Sequence, residues 1–149
     1  MSLKEQLEAD LKDAMRQRDE RRRSALRLTL AALHNAEIST GGDLDEAAAS
    51  AVLAKEAKQR RDSIEEFRKA GRQDLVDVEE AELAILAAYL PKQLSREEVA
   101  ETARQVIQET GAEGLQDIGK VMPVLMQQLS GRADGRVASE VVRELLAGS

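Results

Sequence analysis

Only two prolines, Pro91 and Pro123, interrupt a chain of 149 residues. Proline lacks a backbone N–H and its ring clashes with the preceding helical turn, so its scarcity leaves long stretches free to wind into helix. The residues that fill those stretches are good helix formers: Ala, Leu, Glu, Arg and Gln abound, and β-branched runs are absent. The fold class that follows is all-α. Aromatic residues make up 1% of the chain, Phe67 and Tyr89, against 42% hydrophobic residues overall. The core must then be aliphatic, built from Leu, Ile, Val, Ala and Met.

Start and stop signals divide the chain into seven helices. Ser2 with Glu5 forms a capping box ahead of Leu3, Leu7 and Leu11 at helical spacing, predicting a helix to about Arg18. A second covers about Asp19 to Ile38 with Leu26, Leu30 and Leu33 on one face, and the pattern leaves open whether a break separates the two. Ser39-Thr40-Gly41-Gly42 is a turn signal. Asp43 with Glu46 then caps a third helix to about Ala70, whose stripe reads Leu53, Ala57, Arg60, Ile64 and Phe67. Gly71 stands where a C-terminal cap belongs, and Asp74 starts a fourth helix carrying Leu75, Val78, Ile85, Leu86 and Tyr89. Pro91 breaks the pattern. Ser95 with Glu98 opens a fifth helix ending at Gly111, and a sixth begins near Asp117 with a kink or new turn expected near Met122, just before Pro123. Asp134 caps the last, striped by Val137, Val141, Val142 and Leu145. The expected organisation is two helical bundles, four helices over residues 1–90 and three over 91–149, joined near Pro91.

Charge and cysteine usage narrow the function classes. The net charge is -6, which argues against a general nucleic-acid coat, and DNA is not an expected partner. A local basic patch on an acidic protein is still compatible with that balance. Residues 16–27 carry six arginines against Asp19 and Glu20, although Arg21-Arg22-Arg23 point about 100° apart on a helix and do not make one tight site. Pairing with Asp19 and Glu20 on a solvated face is the simpler reading of that run. The absence of cysteine excludes disulfides and thiolate metal sites. The polar opening Met1-Ser2-Leu3-Lys4-Glu5 does not read as a signal peptide, and no apolar run approaches the roughly 20 residues of a membrane span. A soluble, cytoplasmic protein with no membrane contact is the expectation.

The catalytic inventory is thin. His34 is the single histidine, on a helix beside Asn35, with no nucleophile or orienting acid placed near it by sequence. Glu79-Glu80-Ala81-Glu82 reads as a solvated acidic face, and no phosphate loop or serine nucleophile motif is present. No cofactor, metal or catalytic residue is expected. Arg60 is unusual because it falls in an apolar stripe, where it either snorkels, pairs with a carboxylate such as Glu79 or Glu82, or contacts a partner; Arg60 and Arg61 are secondary binding candidates. The segment Asp117-Ile118-Gly119-Lys120-Val121-Met122, followed by Gly131-Arg132-Ala133-Asp134-Gly135-Arg136, carries more. Its glycines are explained by close helix packing at Gly119 and by a helix–loop–helix turn at Gly131 and Gly135. Its cations, Lys120, Arg132, Arg136 and Arg143, are better explained by an anionic partner that the helix ends would bring them together to hold.

Three stretches make a familiar set: Glu56 to Ile64, Ala70-Gly71-Arg72-Gln73-Asp74-Leu75, and Tyr89-Leu90-Pro91-Lys92-Gln93-Leu94-Ser95. With Ile118-Gly119-Lys120-Val121-Met122 and Gly131-Arg132-Ala133-Asp134-Gly135 they resemble the YqeY family over nearly the whole chain. That resemblance implies four helices followed by three. It also implies kinship with the tail of the B subunit of glutamyl-/aspartyl-tRNA amidotransferase, a helical module that helps to hold tRNA. Met126 and Gly131-Arg132-Ala133-Asp134 match the tail's pattern, whereas Pro123 stands where the family usually has glycine. The family association is with carbon–nitrogen ligase activity using glutamine as amide donor, but the active sites of that complex lie outside the tail-like portion. The implied function is a non-catalytic tRNA-binding or adaptor protein, with Lys120, Gly131, Arg132, Gly135, Arg136 and Arg143 as contacts and amidotransferase or synthetase subunits as further partners. The alternative is a protein-interaction module of the translation machinery that binds no RNA.

Overall fold

The computed structural model describes residues 1–148, and these are all-α. In chain order the helices are α1 (Leu3–Arg16), α2 (Glu20–Thr40), α3 (Glu46–Lys69), α4 (Gln73–Ala87), α5 (Arg96–Thr110), α6 (Ile118–Leu129) and α7 (Gly135–Ala147), with a 3-10 turn at Leu115–Asp117 before α6. They make two helical bundles. Helices α1 to α4 lie in a compact unit, Met1–Pro91, and α5 to α7 in a second unit that begins at Lys92.

Local chemistry explains most boundaries. The Ser2 hydroxyl accepts the Glu5 N–H at 3.1 Å, satisfying one of the donors that the first turn of α1 leaves open. Ser95 and Glu98 complete a reciprocal box, each side chain accepting the other's backbone N–H. Gly41 and Gly111 end α2 and α5 in the left-handed conformation, which glycine adopts without steric penalty.

Three expectations change, and one point left open by the sequence is decided. The cap of α3 is Asp45, whose Oδ1 accepts the Ala48 N–H at 2.7 Å, and not Asp43. Glu46 is thereby freed to accept the Leu3 N–H at 3.2 Å, tying the start of α3 to α1. A break does separate α1 from α2: Gln17 ends α1, Arg18 is left-handed with φ of 56°, and Asp19 caps α2. No new helix starts near Met122; of the kink or new turn expected there, the new turn gives way to one helix that runs through Pro123 from Ile118 to Leu129. An added Cβ at Gly119, four residues before the proline, would meet nothing within 4 Å. The same open space removes close helix packing as the reason for Gly119.

The last change concerns α4. Val76 is fully buried while Val78 is 36% exposed, the reverse of the stripe read from apolar residues alone. The inward row of α4 runs Val76, Glu79, Glu82, Leu86, so carboxylates occupy its middle. Opposite them on α3 stands Arg60, between Ala57 and Ile64 in the buried row. Arg60 and Glu82 are each 9% exposed; the Arg60 guanidinium donates to Glu82 and, at 3.3 Å, to Glu79 Oε2. The acidic run is thus only partly a solvated face. Glu80 points outward to Arg68 at 2.9 Å, and Glu82 is core.

The rest of both interiors is aliphatic. Leu7, Leu26, Leu33 and Leu53 are fully buried in the first unit, and Val106, Val121, Leu125 and Leu129 in the second. Each such side chain stabilises by roughly 1.5–3 kcal/mol through the apolar area it removes from water. The α7 stripe is Ala138, Val141, Val142 and Leu146, with Val137 and Leu145 at its edges. In the first unit Tyr89, one of two aromatics, donates its phenolic hydrogen to the Asp10 carboxylate.

Two predictions follow from these polar contacts. Glu82→Ala leaves Arg60 buried with only Glu79, and should cost about 3 kcal/mol in urea unfolding, at the low end for breaking a buried pair. Replacing both partners, Arg60→Met with Glu82→Leu, should recover most of that loss; a double variant as unstable as Glu82→Ala would sink the ion-pair account. Burial, then the bond to Asp10, raise the Tyr89 phenol from its ordinary 10 to about 12. A raised folded pKa favours the protonated form, so its contribution is complete below pH 10 and lost between pH 10 and 12. The alkaline unfolding profile of Tyr89→Phe should be flatter than that of the native protein across that window.

Candidate nucleic-acid interface

The loop between α6 and α7 is built around two consecutive left-handed residues. Ser130 ends α6 with φ of 49°, and Gly131 follows with φ of 75°. An added Cβ at Gly131 would meet nothing within 4 Å, so the glycine is there for backbone conformation and not for space. Gly135 is different. It opens α7 without a positive φ, and a Cβ there would make ordinary contact with the Met126 methyl at 3.8 Å. Neither shape nor crowding requires glycine at 135.

The turn at Gly131 presents two carbonyls to the segment before α5. Gln93 Nε2 donates to the Gly131 carbonyl at 3.2 Å, and the Leu94 N–H donates to the Arg132 carbonyl at 2.7 Å. In return Arg132 Nε donates to the Lys92 carbonyl at 3.1 Å. Residues 92–94, which the sequence presents as a plain linker, are therefore strapped along the 131–132 loop. Ala133 is buried beneath, and Asp134 caps α7 by accepting the Arg136 N–H at 2.8 Å. The positive end of α7 is thus already met by a carboxylate. Only Nε of Arg132 is engaged, so its terminal nitrogens keep their donors for a ligand.

The predicted cations do not converge on one point. Lys120 lies in the first turn of α6, exposed and 3.5 Å from Asp117. Arg132 follows the other end of that 12-residue helix, a helix length of about 18 Å. Arg136 is at the start of α7, beside Arg132 in sequence, and Arg143 lies about 10 Å further along α7 with its Nε on Ser139 Oγ. The helix ends therefore separate Lys120 from the arginines, because the length of α6 stands between them. Arg132 and Lys92 are held beside one another, and Arg136 follows four residues on, in the first turn of α7. Lys92 and Arg132 together help to hold the Glu98 carboxyl below its ordinary range, after the larger effect of the Ser95 N–H. Lys92 itself was hidden in sequence because its place depends on a hydrogen bond to a residue 40 positions away.

The secondary candidates divide. Arg60 is committed to Glu79 and Glu82 inside the first unit and presents no exposed charge. Arg61 is half-buried on α3. His34 is exposed on α2. Among the described residues no group of three or more His, Asp or Glu is arranged to hold a metal ion, and no helix is long and apolar enough to cross a membrane.

Comparison with known proteins places this geometry in a family. The family described as Yqey-like protein matches residues 4–146. A relative from Pyrenophora tritici-repentis, named altered inheritance of mitochondria protein 41, mitochondrial, is 33% identical over 144 residues, covering 94% of this chain and 78% of that protein. The protein of the same name from Lachancea thermotolerans is 46% identical over 85 residues, and that from Kluyveromyces lactis 44% identical over 105 residues. The matched regions span 46% and 56% of those two proteins, about half their length. These relatives are mitochondrial proteins by name, which overturns the expectation of a simply cytoplasmic location. That expectation had rested on composition and on the opening residues, and a helical domain of this kind has the same physical requirements in either aqueous compartment. With the match spanning all seven helices, the chain belongs to the YqeY family.

Proposed function

We propose that this chain is a non-catalytic RNA-holding or adaptor protein whose second unit grips tRNA phosphates through Arg132 and Arg136, with Lys92 alongside. The observation that carries this reading is the bracing of Arg132. Its Nε is fixed on the Lys92 carbonyl, its own carbonyl is fixed by Leu94, and its terminal nitrogens are open. A guanidinium held in this way loses less freedom on meeting a phosphate than a solvated one does. Contacts of this sort position a nucleic acid without reading its sequence. Kinship with the amidotransferase tail supports tRNA as the RNA, and amidotransferase or synthetase subunits as the proteins to which such an adaptor would present it. Lys120 and Arg143 would act as outlying contacts.

A protein-docking reading without RNA is favoured by one observation. A groove of about 390 Å³ in the first unit is lined by Glu5, Glu8, Glu37, Asp43 and Glu46 against one cation, Lys4, which pairs with Glu37 at 3.0 Å. That lining suits a basic protein segment better than it suits a polyanion.

Binding of the purified protein to total tRNA at two salt concentrations separates the readings. The native protein should bind at low salt and weaken as salt rises, and Arg132→Ala/Arg136→Ala should reduce the slope of log K against log salt by about two. Absence of tRNA binding at low salt would overturn the RNA reading. Glutamine-dependent amidation of mischarged tRNA by the protein alone would overturn the non-catalytic one.

A further inference from the structure

The α1–α2 turn of the first unit carries a concentration of charge that the second-unit site does not use. Residues 12–27 hold seven cations, Lys12, Arg16, Arg18, Arg21, Arg22, Arg23 and Arg27, against three carboxylates, Asp13, Asp19 and Glu20. The structure shows where each carboxylate goes. Asp13 takes Arg22 at 2.8 Å, Glu20 takes Arg23 at 2.9 Å, and Asp19 caps α2 through the Arg22 N–H. Asp10 adds a second, longer contact to Arg22. The three carboxylates of this segment are thus engaged, Asp13 and Glu20 by half-buried arginines and Asp19 by the backbone, while Glu5 and Glu8 on α1 line a shallow depression with Lys12 and Arg16. Arg16, Arg18 and Arg21 are exposed and make no salt bridge or side-chain hydrogen bond, and neither do Lys12, one turn earlier on α1, and Arg27, about 9 Å further along α2.

A second observation singles out the same turn. Arg18 is left-handed, with φ of 56°, a conformation that costs a side-chain-bearing residue energy and that glycine adopts freely. The turn is closed by the Arg18 N–H on the Met15 carbonyl at 3.2 Å and the Asp19 N–H on the Ala14 carbonyl at 2.9 Å, both backbone bonds that glycine at 18 would preserve. The backbone therefore gains nothing from arginine here, while the side chain stands exposed between Arg16 and Arg21.

We infer that Arg16, Arg18 and Arg21 form a second phosphate-binding surface that takes the backbone of double-helical RNA. The inference rests on the proposed RNA-holding role and adds a site to it on the other unit. Three guanidinium forks within six residues match a ridge of phosphates, which accept paired N–H donors. Single-stranded RNA fits less well, because base stacking needs exposed aromatics and none stands at this turn. A lipid surface also fits less well. Met15 and Leu28, 47% and 51% exposed, are the large apolar side chains nearby, and two separate residues do not make the continuous apolar face that bilayer insertion requires.

The test compares the native protein, the triple variant Arg16→Ala/Arg18→Gly/Arg21→Ala, and Arg132→Ala/Arg136→Ala, each on total tRNA, on a synthetic RNA hairpin duplex and on phosphatidylglycerol vesicles. The triple variant should keep its helical circular dichroism and have an unchanged or raised Tm, while its salt slope on both RNAs falls by about three. Unchanged binding by the triple variant, with loss in the second-unit variant, overturns this surface and leaves the second-unit reading intact. Loss in the triple variant alone supports this surface and removes the second-unit reading. RNA binding by none of the proteins overturns both, and vesicle binding without RNA binding assigns the arginines to a lipid surface instead.

Discussion

A core with almost no aromatics sets the terms for the rest of this structure. Aliphatic burial is strong but carries little direction, so leucines and valines alone do not fix how one helix is set along another. The polar contacts do that. Arg60 on α3 meets Glu82 and Glu79 on α4, Tyr89 after α4 meets Asp10 on α1, and Glu46 at the head of α3 meets the first N–H of α1. A buried ion pair adds little net stability, since desolvation offsets most of the attraction. What it adds is a penalty for any register in which Arg60 and Glu82 fail to meet, because each would then be a charge stranded in an aliphatic interior. The second unit uses the same device at its surface, where Arg96 reaches Glu140 and Glu144 from α5 to α7.

Sequence made the helices legible wherever the signal was local. The box at Ser95 and Glu98, the caps at Ser2 and Asp134, and the glycine stops at Gly41 and Gly111 all work within one turn of chain, and all stand where they were read. It failed where two local candidates competed, as Asp43 and Asp45 do ahead of α3. It failed too where the inward row of a helix is not apolar. The α4 stripe was placed on Val78 because hydrophobicity was the guide, and the true row passes through two glutamates. Arg60 was the legible half of that error: a cation in an apolar stripe announces a buried partner on a neighbouring helix.

The candidate site was less legible than the fold. Arg132 and Arg136 are four residues apart at the head of α7, but Lys120 is separated from them by the length of α6. Lys92 joins them only through long-range backbone contacts that no periodicity records. In residues 16–27 the excess of arginine is plain from sequence, yet pairing with Asp19 and Glu20 is the simpler account of the run Arg21-Arg22-Arg23. The structure divides the run, because a carboxylate that caps a helix or pairs with one half-buried arginine has little left for the next.

The remaining difficulty is that a protein of net charge -6 should repel a polyanion. Distance resolves it. At physiological ionic strength charges on exposed surfaces are screened over about 8 Å, so a phosphate touching Arg18 or Arg132 responds to its immediate neighbours and not to carboxylates elsewhere on the molecule. Several of the nearest acids in the chain are already engaged, Asp13 and Glu20 with Arg22 and Arg23, and Glu98 with the Ser95 backbone. Other acid is gathered away from these arginines, as Glu37, Asp43 and Glu46 are along one groove of the first unit. Such a distribution weakens non-specific attraction at long range while keeping short-range attraction at the arginines. It favours a partner whose phosphates reach these few places over one that is merely anionic.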